Sequence, residues 1–174
     1  MILPTVLRPQ YKSMINPTLS ANNNVWDGYC VVSAYSTSLL TKTGGRVRVT
    51  CTPPTSGSNL VIASAYIGMA GTAPSFDGGQ VQLSRESDGS TGFTLTAGGS
   101  TVALVGSFRI VTSGTLLIAF GITSGDLRVV TGTAADYTQY HKAADAANAG
   151  TTSKSGYTTV ANRTDIVSLI EVLN

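Results

Sequence analysis

The stretch Arg46-Val47-Arg48-Val49-Thr50-Cys51 alternates polar and apolar side chains at every position. A two-residue period places Val47, Val49 and Cys51 on one face of a β-strand and the polar side chains on the other face. A helix would mix the two groups around its surface. The stretch therefore predicts a strand that covers a hydrophobic core with one face and leaves the other face outside that core.

The same period recurs along the chain between residues that favour turns. In the segment from Leu116 to Ile122, large side chains alternate with small ones, so we expect Ile118, Phe120 and Ile122 in the core. The two small residues between them should face outward or meet a close neighbour. Shorter pairs with the same spacing are Val81 and Leu83, Phe93 and Leu95, and Val102 and Leu104. Short strands separated by glycine-containing turns are typical of an all-β antiparallel sandwich or barrel.

Length and composition limit the classes of function. The chain has 174 residues, which is enough for one sandwich-sized domain and a short extension. Charged residues make up 11% and the net charge is +2, so no basic surface indicates a nucleic-acid partner. A hydrophobic content of 42% with so little charge argues against disorder. No apolar run approaches the ~20 residues of a membrane span.

Residues 1–24 differ in pattern from the rest of the chain. Pro4, Pro9 and Pro17 interrupt the segment, and its apolar residues follow neither a helical nor a strand period. We predict an extended N-terminal arm over residues 1–24 that anchors a β-sandwich domain over residues 25–174. A disordered terminus and a strand of the same domain are the alternatives. The predicted anchor residues are Leu3, Val6, Leu7, Tyr11 and Ile15.

The last segment, residues 166–173, is apolar at nearly every position. Such a run predicts a strand that is covered on both faces. Either the domain itself or a second copy of the chain must supply the second cover. Because few like charges would keep copies apart, we expect a homo-oligomer.

Residues that carry chemistry are few. His141 is the single histidine, and a hydrolase would need it to meet a serine and an acid from distant parts of the chain. Metal-binding and phosphate-binding motifs are absent from the sequence, so we expect a non-enzymatic protein without cofactor or metal. Cys30 and Cys51 lie in apolar runs, which favours two buried thiols and leaves a cross-strand disulfide as the alternative.

One aromatic segment lies in a polar context. Tyr137, Tyr140 and His141 are therefore the predicted exposed patch for a ligand or an interface. Flat aromatic faces pack against sugar rings, so the tyrosines and Trp26 also fit a carbohydrate-binding platform. Packing within strands is the competing interpretation of the same residues.

Three segments resemble β-sandwich modules in structural proteins of tailed bacteriophages. They are residues 65–70 (AYIGMA), 75–83 (SFDGGQVQL) and 92–98 (GFTLTAG). A similar sandwich precedes the catalytic domain of some GDSL-type hydrolases, but the resemblance carries over no catalytic residue. It implies a jelly-roll-like fold in a virion.

The resemblance also implies a role and partners. The role would be capsid decoration, a neck component, or a tail appendage or fibre head, with other virion proteins as partners. Phage appendages of this kind are commonly trimers, so a trimer is the expected homo-oligomer. The alternative function is a carbohydrate-binding module that recognises a host-surface glycan.

Overall fold

The computed structural model describes residues 10–19, 21–23, 25–131 and 136–173. Regular structure is almost entirely β, with short 3-10 helices at Thr37–Leu39 and Ala146–Asn148. Within this part of the chain no helix is long and apolar enough to span a membrane. The strands are β1 (Tyr11–Ile15), β2 (Ala21–Asn23), β3 (Cys30–Tyr35), β4 (Arg46–Cys51), β5 (Leu60–Met69), β6 (Val81–Gln82), β7 (Ser84–Arg85), β8 (Phe93–Leu95), β9 (Val102–Gly106), β10 (Leu116–Ser124), β11 (Leu127–Thr131), β12 (Tyr137–Lys142), β13 (Thr158–Ala161), β14 (Arg163–Asp165) and β15 (Val167–Leu173).

Two antiparallel sheets pack against each other around one core. The first has the order β1-β15-β4-β9-β7, and the second has the order β13-β12-β3-β10-β5-β6, with β8 also paired to β5. A small third sheet has the order β14-β11-β2. The chain is therefore an all-β antiparallel sandwich, as the sequence predicted.

The pairing of strands is nested in chain order. The first strand, β1, pairs with the last, β15; β3 pairs with β10; β4 pairs with β9; and β5 pairs with β6 and β8. With β8 taken as the partner of β5, these four pairs place four strands in each sheet, and a chain of paired strands that is rolled up in this way is a jelly roll. Strands β11 to β14 are additions between β10 and β15.

The alternating segments supply the core. Side chains from both sheets meet in one buried hydrophobic cluster. The six residues that alternation assigned to it are all fully buried there, which confirms the prediction: Val47, Val49, Cys51, Ile118, Phe120 and Ile122.

The outer face of the second sheet is covered by a loop. Leu117 and Ala119 of β10 lie in a second buried cluster together with Ala149 of the 143–157 loop. At Gly121 a Cβ atom would lie 2.3 Å from the backbone oxygen of Ala146. The small residues of β10 therefore meet a close neighbour, and the loop can pack directly on the sheet.

The two cysteines lie in different clusters, and both are free thiols. Cys51 belongs to the core between the sheets and Cys30 to the cluster under the loop. Neither side chain is exposed, and burial raises the pKa of both thiols. The interpretation as two buried thiols is correct for this structure, and the disulfide alternative is not formed.

We expect iodoacetamide to label neither cysteine in the native protein and both in the unfolded protein, because the reactive thiolate is both buried and disfavoured. Mass spectrometry of the alkylated protein counts the labels. An engineered Ser153→Cys thiol, at an exposed position, is the control that should react under native conditions. Native labelling of Cys30 or Cys51 at the rate of this control would contradict the burial of the thiols.

Part of the predicted arm belongs to the sheets. Tyr11–Ile15 forms β1 and pairs with β15, with Ile15 2% exposed in the core. Leu19 is also buried, and β2 pairs with β11. The prediction of a separate arm up to residue 24 is thus corrected for Tyr11–Ile15 and Ala21–Asn23, which adopt the alternative of strands in the same domain. The predicted anchor residues Leu3, Val6 and Leu7 lie outside the described residues.

A bulge explains why the sequence showed no strand period there. The register of β1 against β15 shifts between Ser13 and Ile15, so the inward and outward positions do not alternate strictly. The outward side chain of Tyr11 lies against Arg48 of β4, whose guanidinium carbon is 4.5 Å from the ring centroid. Tyr11 is therefore part of the outer face of the first sheet.

Two truncations should behave differently. Deletion of residues 1–24 removes β1, β2, Ile15 and Leu19, so we expect a large loss of stability or no folded protein. Deletion of residues 1–9 leaves every contact described above in place, and we expect a folded domain. Thermal unfolding followed by circular dichroism compares the two. Equal melting temperatures would contradict the role of β1 in the fold.

The last strand is apolar on both sides because of a second bulge. Its register against β4 shifts between Val167 and Leu169, after which Ile170 and Val172 face the core. Leu169 and Leu173 then lie on the outer face of the first sheet and are partly exposed. The domain therefore covers one face of this strand completely and the other only in part.

Candidate functional site

The predicted patch is divided between the two faces of β12. Tyr137 lies opposite Tyr35 and His141 opposite Val31, and both partners face the core. Tyr140 lies opposite Val32 on the outer face and packs in the second cluster. All three side chains are partly buried. The structure therefore does not bring Tyr137, Tyr140 and His141 together as one exposed surface.

The inward side of β12 instead meets an aromatic cluster. Trp26 makes edge-to-face contacts with Tyr29, at 4.9 Å between ring centroids, and with His141, at 4.8 Å. The guanidinium carbon of Arg163 on β14 lies 5.5 Å from the Trp26 ring centroid. Aromatic pairs and cation–π contacts of this kind each contribute about 0.5–1.5 kcal/mol. They hold the turn after β2, the strand β12 and the strand β14 to one another.

The end of β14 carries a buried acid. Asp165 is fully buried, and its Oδ1 accepts a hydrogen bond from Nε of Arg163 at 3.2 Å. Burial raises the pKa of Asp165 to about 7, although the charge and the hydrogen bond of Arg163 act in the opposite direction. The Asp165 backbone N–H donates to the hydroxyl of Ser33 on β3 at 3.3 Å. The acid therefore lies between β14 and the inner face of the second sheet.

Neighbouring polar groups fasten β14 to the same face. The hydroxyls of Tyr35 and Thr164 are hydrogen-bonded at 2.9 Å, and both side chains are fully buried. Gln139 of β12, also fully buried, lies opposite Ser33 in the strand register. Burial and the positive charge of Arg163 lower the pKa of His141, which favours a neutral imidazole. We call Gln139, His141, Arg163 and Asp165 the β12–β14 cluster.

The β12–β14 cluster concentrates polar atoms that lack a hydrogen-bond partner. Seven buried side-chain nitrogen and oxygen atoms in the described part of the chain have none, and five of them belong to these four residues. They include both amide atoms of Gln139 and the second carboxylate oxygen of Asp165. Buried polar groups are normally paired. Five in one place mark a part of the interior where polar burial is costly in free energy.

The backbone is strained directly after this cluster. Ile166, which joins β14 to β15, has a φ of +65°, a conformation that is unfavourable for a β-branched residue. Its N–H donates to the backbone oxygen of Arg128 at 2.9 Å, and its carbonyl accepts from the N–H of Thr52 at 2.8 Å. These bonds hold the chain as it passes from the small sheet into the first sheet.

Sequence reasoning missed Gln139, Arg163 and Asp165. They are far from Trp26 in the chain, and the sequence alone contains no local pattern that links them. No group of three or more histidine, cysteine, aspartate or glutamate side chains suited to a metal ion occurs among the residues that the structure describes. Comparison with protein-family models and with curated proteins gives no match for this chain.

Proposed function

We propose that this protein is a non-enzymatic structural component of a tailed-bacteriophage virion, as capsid decoration, in the neck, or as the head of a tail appendage or fibre. The observation that carries the proposal is the nested strand order, because jelly rolls of this order are common in viral capsid proteins. A fold by itself does not fix a function. The resemblance of three sequence segments to phage modules supplies the second support.

Those segments form one region of the structure. Residues 65–70 lie largely in β5, residues 75–83 include β6, and residues 92–98 include β8. Strand β5 pairs with both β6 and β8. The resemblance therefore concerns neighbouring strands at one edge of the second sheet, and it is a resemblance in architecture rather than in a catalytic site.

The proposed assembly is a homo-oligomer, with three copies as the expected number. We propose the contact between copies on the outer face of the first sheet, where Leu169 and Leu173 remain partly exposed and Tyr11 lies opposite Leu173. Arg48 and Glu171 form an ion pair on this face, with 2.6 Å between Nε and Oε2. Apolar side chains on either side of a paired charge suit an interface between identical subunits.

Analysis of purified particles tests the virion role. Mass spectrometry of gradient-purified particles from the encoding phage or prophage should detect the chain at a fixed ratio to the major capsid protein. If the chain is absent from such particles while capsid and tail proteins are present, the proposal is wrong.

Light scattering on the full-length protein tests the assembly separately. We expect three times the 17.9 kDa chain mass for the wild type and a lower mass for Leu173→Lys. Val111→Lys, at an exposed position on a connecting segment, is the matched control and should leave the mass unchanged. A monomeric wild type would contradict the trimer and leave the particle experiment decisive for the virion role.

A further inference from the structure

The loop that covers the second sheet encloses a polar cleft on its solvent side. The cleft has a volume of about 230 Å³ and is lined only by polar side chains from residues 142–157. Drug-sized ligands occupy mostly apolar pockets of roughly 300–1,000 Å³. A cleft of this size and polarity is instead suited to one small, highly hydroxylated ligand.

A buried acid lies at the base of the cleft. Asp145 is 7% exposed, and each of its carboxylate oxygens accepts one hydrogen bond: Oδ2 from the hydroxyl of Tyr157 at 2.6 Å and Oδ1 from the amide of Asn148 at 2.7 Å. A carboxylate oxygen can accept two hydrogen bonds. Both oxygens therefore retain an acceptor position. Burial opposes the charge, but the bonds from Tyr157 and Asn148 together with the charges of Lys142 and Lys154 outweigh it, so the pKa of Asp145 lies below its ordinary value and the group is anionic at neutral pH.

Two lysines surround this acid in different ways. The ammonium of Lys154, a residue that is 7% exposed, donates to the backbone oxygens of Asn148 at 2.7 Å and Ala149 at 3.0 Å. The ammonium of Lys142 is more exposed; it lies 3.8 Å from Oδ1 of Asp145 and uses one of its three donors on the backbone oxygen of Ser155, at 3.2 Å. Lys154 therefore stabilises the loop, whereas Lys142 is available to a ligand at the rim.

The loop is fixed in place before any ligand binds. The backbone N–H groups of Asp145 and Ala146 both donate to the carbonyl of Gly28, at 2.9 and 3.1 Å. At Gly150 a Cβ atom would lie 2.5 Å from the ring of Tyr66, so the backbone packs directly on that ring. A rigid site avoids the entropy cost of ordering a loop when a ligand binds.

We propose that this cleft binds one neutral sugar ring of a glycan, with Asp145 accepting hydrogen bonds from adjacent ring hydroxyls and Asn148 and Lys142 donating to them. A hydroxyl group both donates and accepts, and the cleft offers both kinds of partner. The charge of Asp145 offsets that of Lys142, and Lys154 already uses its donors within the loop, so the cleft offers a ligand hydrogen-bonding partners rather than an unpaired cation. The site lies on the outer face of the second sheet, away from the proposed contact between copies, and the inference does not depend on the virion role.

Protein-observed NMR tests the site on the full-length protein. We would titrate the ¹⁵N-labelled chain separately with glucose, galactose, mannose, rhamnose and N-acetylglucosamine, and with glycerol as an acyclic control. We expect saturable shifts for at least one sugar, centred on residues 142–157, and none for glycerol. The absence of saturable shifts with all five sugars, or shifts centred elsewhere, would overturn the proposal.

Two variants identify the residues that bind. Asn148→Ala and Lys142→Met should each weaken binding at least tenfold, because each removes a hydrogen-bond donor at the rim. The contact between Lys154 and residue 148 uses the backbone oxygen of Asn148. The Asn148→Ala variant therefore keeps this contact. Thr43→Ala, in a separate cleft, is the matched control and should not change the affinity. Unchanged affinity in both rim variants would also contradict the proposal.

Discussion

Replacement of Phe120 by alanine is expected to lower the free energy of unfolding by about 3–5 kcal/mol. Phe120 is fully buried, and it lies between Val31 of β3 and Ala65 of β5 in the strand register. Its ring therefore reaches the core from the central strand of the second sheet. A cavity there cannot close without movement of the flanking strands, so the cost should fall at the upper part of the range for buried aromatic residues.

Urea denaturation followed by circular dichroism measures the effect. A single domain commonly has a stability of about 5–15 kcal/mol, so the variant can lose much of it and still fold. Val25→Ala is the control, because Val25 is 60% exposed and its truncation should cost less than about 0.5 kcal/mol. A loss below about 1 kcal/mol for Phe120→Ala would contradict the assignment of this residue to the core.

Asp165 should make the protein less stable as the pH rises from about 4 to about 7. The folded state holds a proton on this carboxyl up to a pKa of about 7, whereas the unfolded chain loses it near the ordinary aspartate pKa of 3.8. Between these two values the folded state binds more protons than the unfolded state, so stability falls with rising pH. When the two states differ by one bound proton, the free energy of unfolding falls by about 1.4 kcal/mol for each pH unit in this window. The full effect is on the order of 4 kcal/mol.

Asp165→Asn removes the titrating group while it keeps the shape of the side chain. We expect the stability of this variant to fall much less with rising pH than that of the wild type. The variant should be more stable than the wild type at pH 8 and should differ little from it near pH 4.5. His141→Gln is the matched control, because the lowered pKa of His141 acts with the opposite sign and its removal should make the decline steeper. The same pH dependence in Asp165→Asn as in the wild type would show that Asp165 is ionised throughout this range.

The charged and titratable groups next to Asp165 account for the direction of this effect. The cation next to it is Arg163 on the same strand, with Nε 3.2 Å from Oδ1, and the hydroxyl of Tyr35 lies nearby on β3. Arg163 gives Asp165 one hydrogen bond, from Nε. This single bond does not offset the free-energy cost of burying a charged carboxylate completely. The remaining carboxylate oxygen has no hydrogen-bond partner among the residues that the structure describes. The neutral acid is therefore favoured in the folded state.

The sequence was sufficient to predict the fold where one face of a strand is purely apolar. Strands β4 and β10 show this, because Val47 and Phe120 repeat with their neighbours at a strict period of two. It was insufficient where a bulge interrupts the period, as at Ser13 in β1. The residues of the predicted arm that lie in β1 were missed for this reason, and the apolar run in β15 was ambiguous because of the bulge between Val167 and Leu169.

The candidate site was less predictable than the fold. Strand β12 places Tyr137, Gln139 and His141 inward, but these side chains are polar, so the sequence read as a solvent-exposed tract. Their inward position depends on partners from β14 and from the turn at Trp26, which are adjacent only after folding. The cleft beside Asp145 was equally hidden, because its walls form only when the loop packs against Gly121 and Tyr66.

The contact between Trp26 and His141 gives the molecule a built-in optical reporter. Each of these residue types occurs once in the chain, so all indole fluorescence and the only imidazole resonance originate within one contact of 4.8 Å. A protonated imidazole quenches an adjacent indole, and emission should therefore dim as His141 takes up a proton. Release of β14 would carry Arg163 away from the same ring and shift the emission toward longer wavelengths. Spectroscopy on the unlabelled wild-type chain can thus distinguish protonation of the site from its opening.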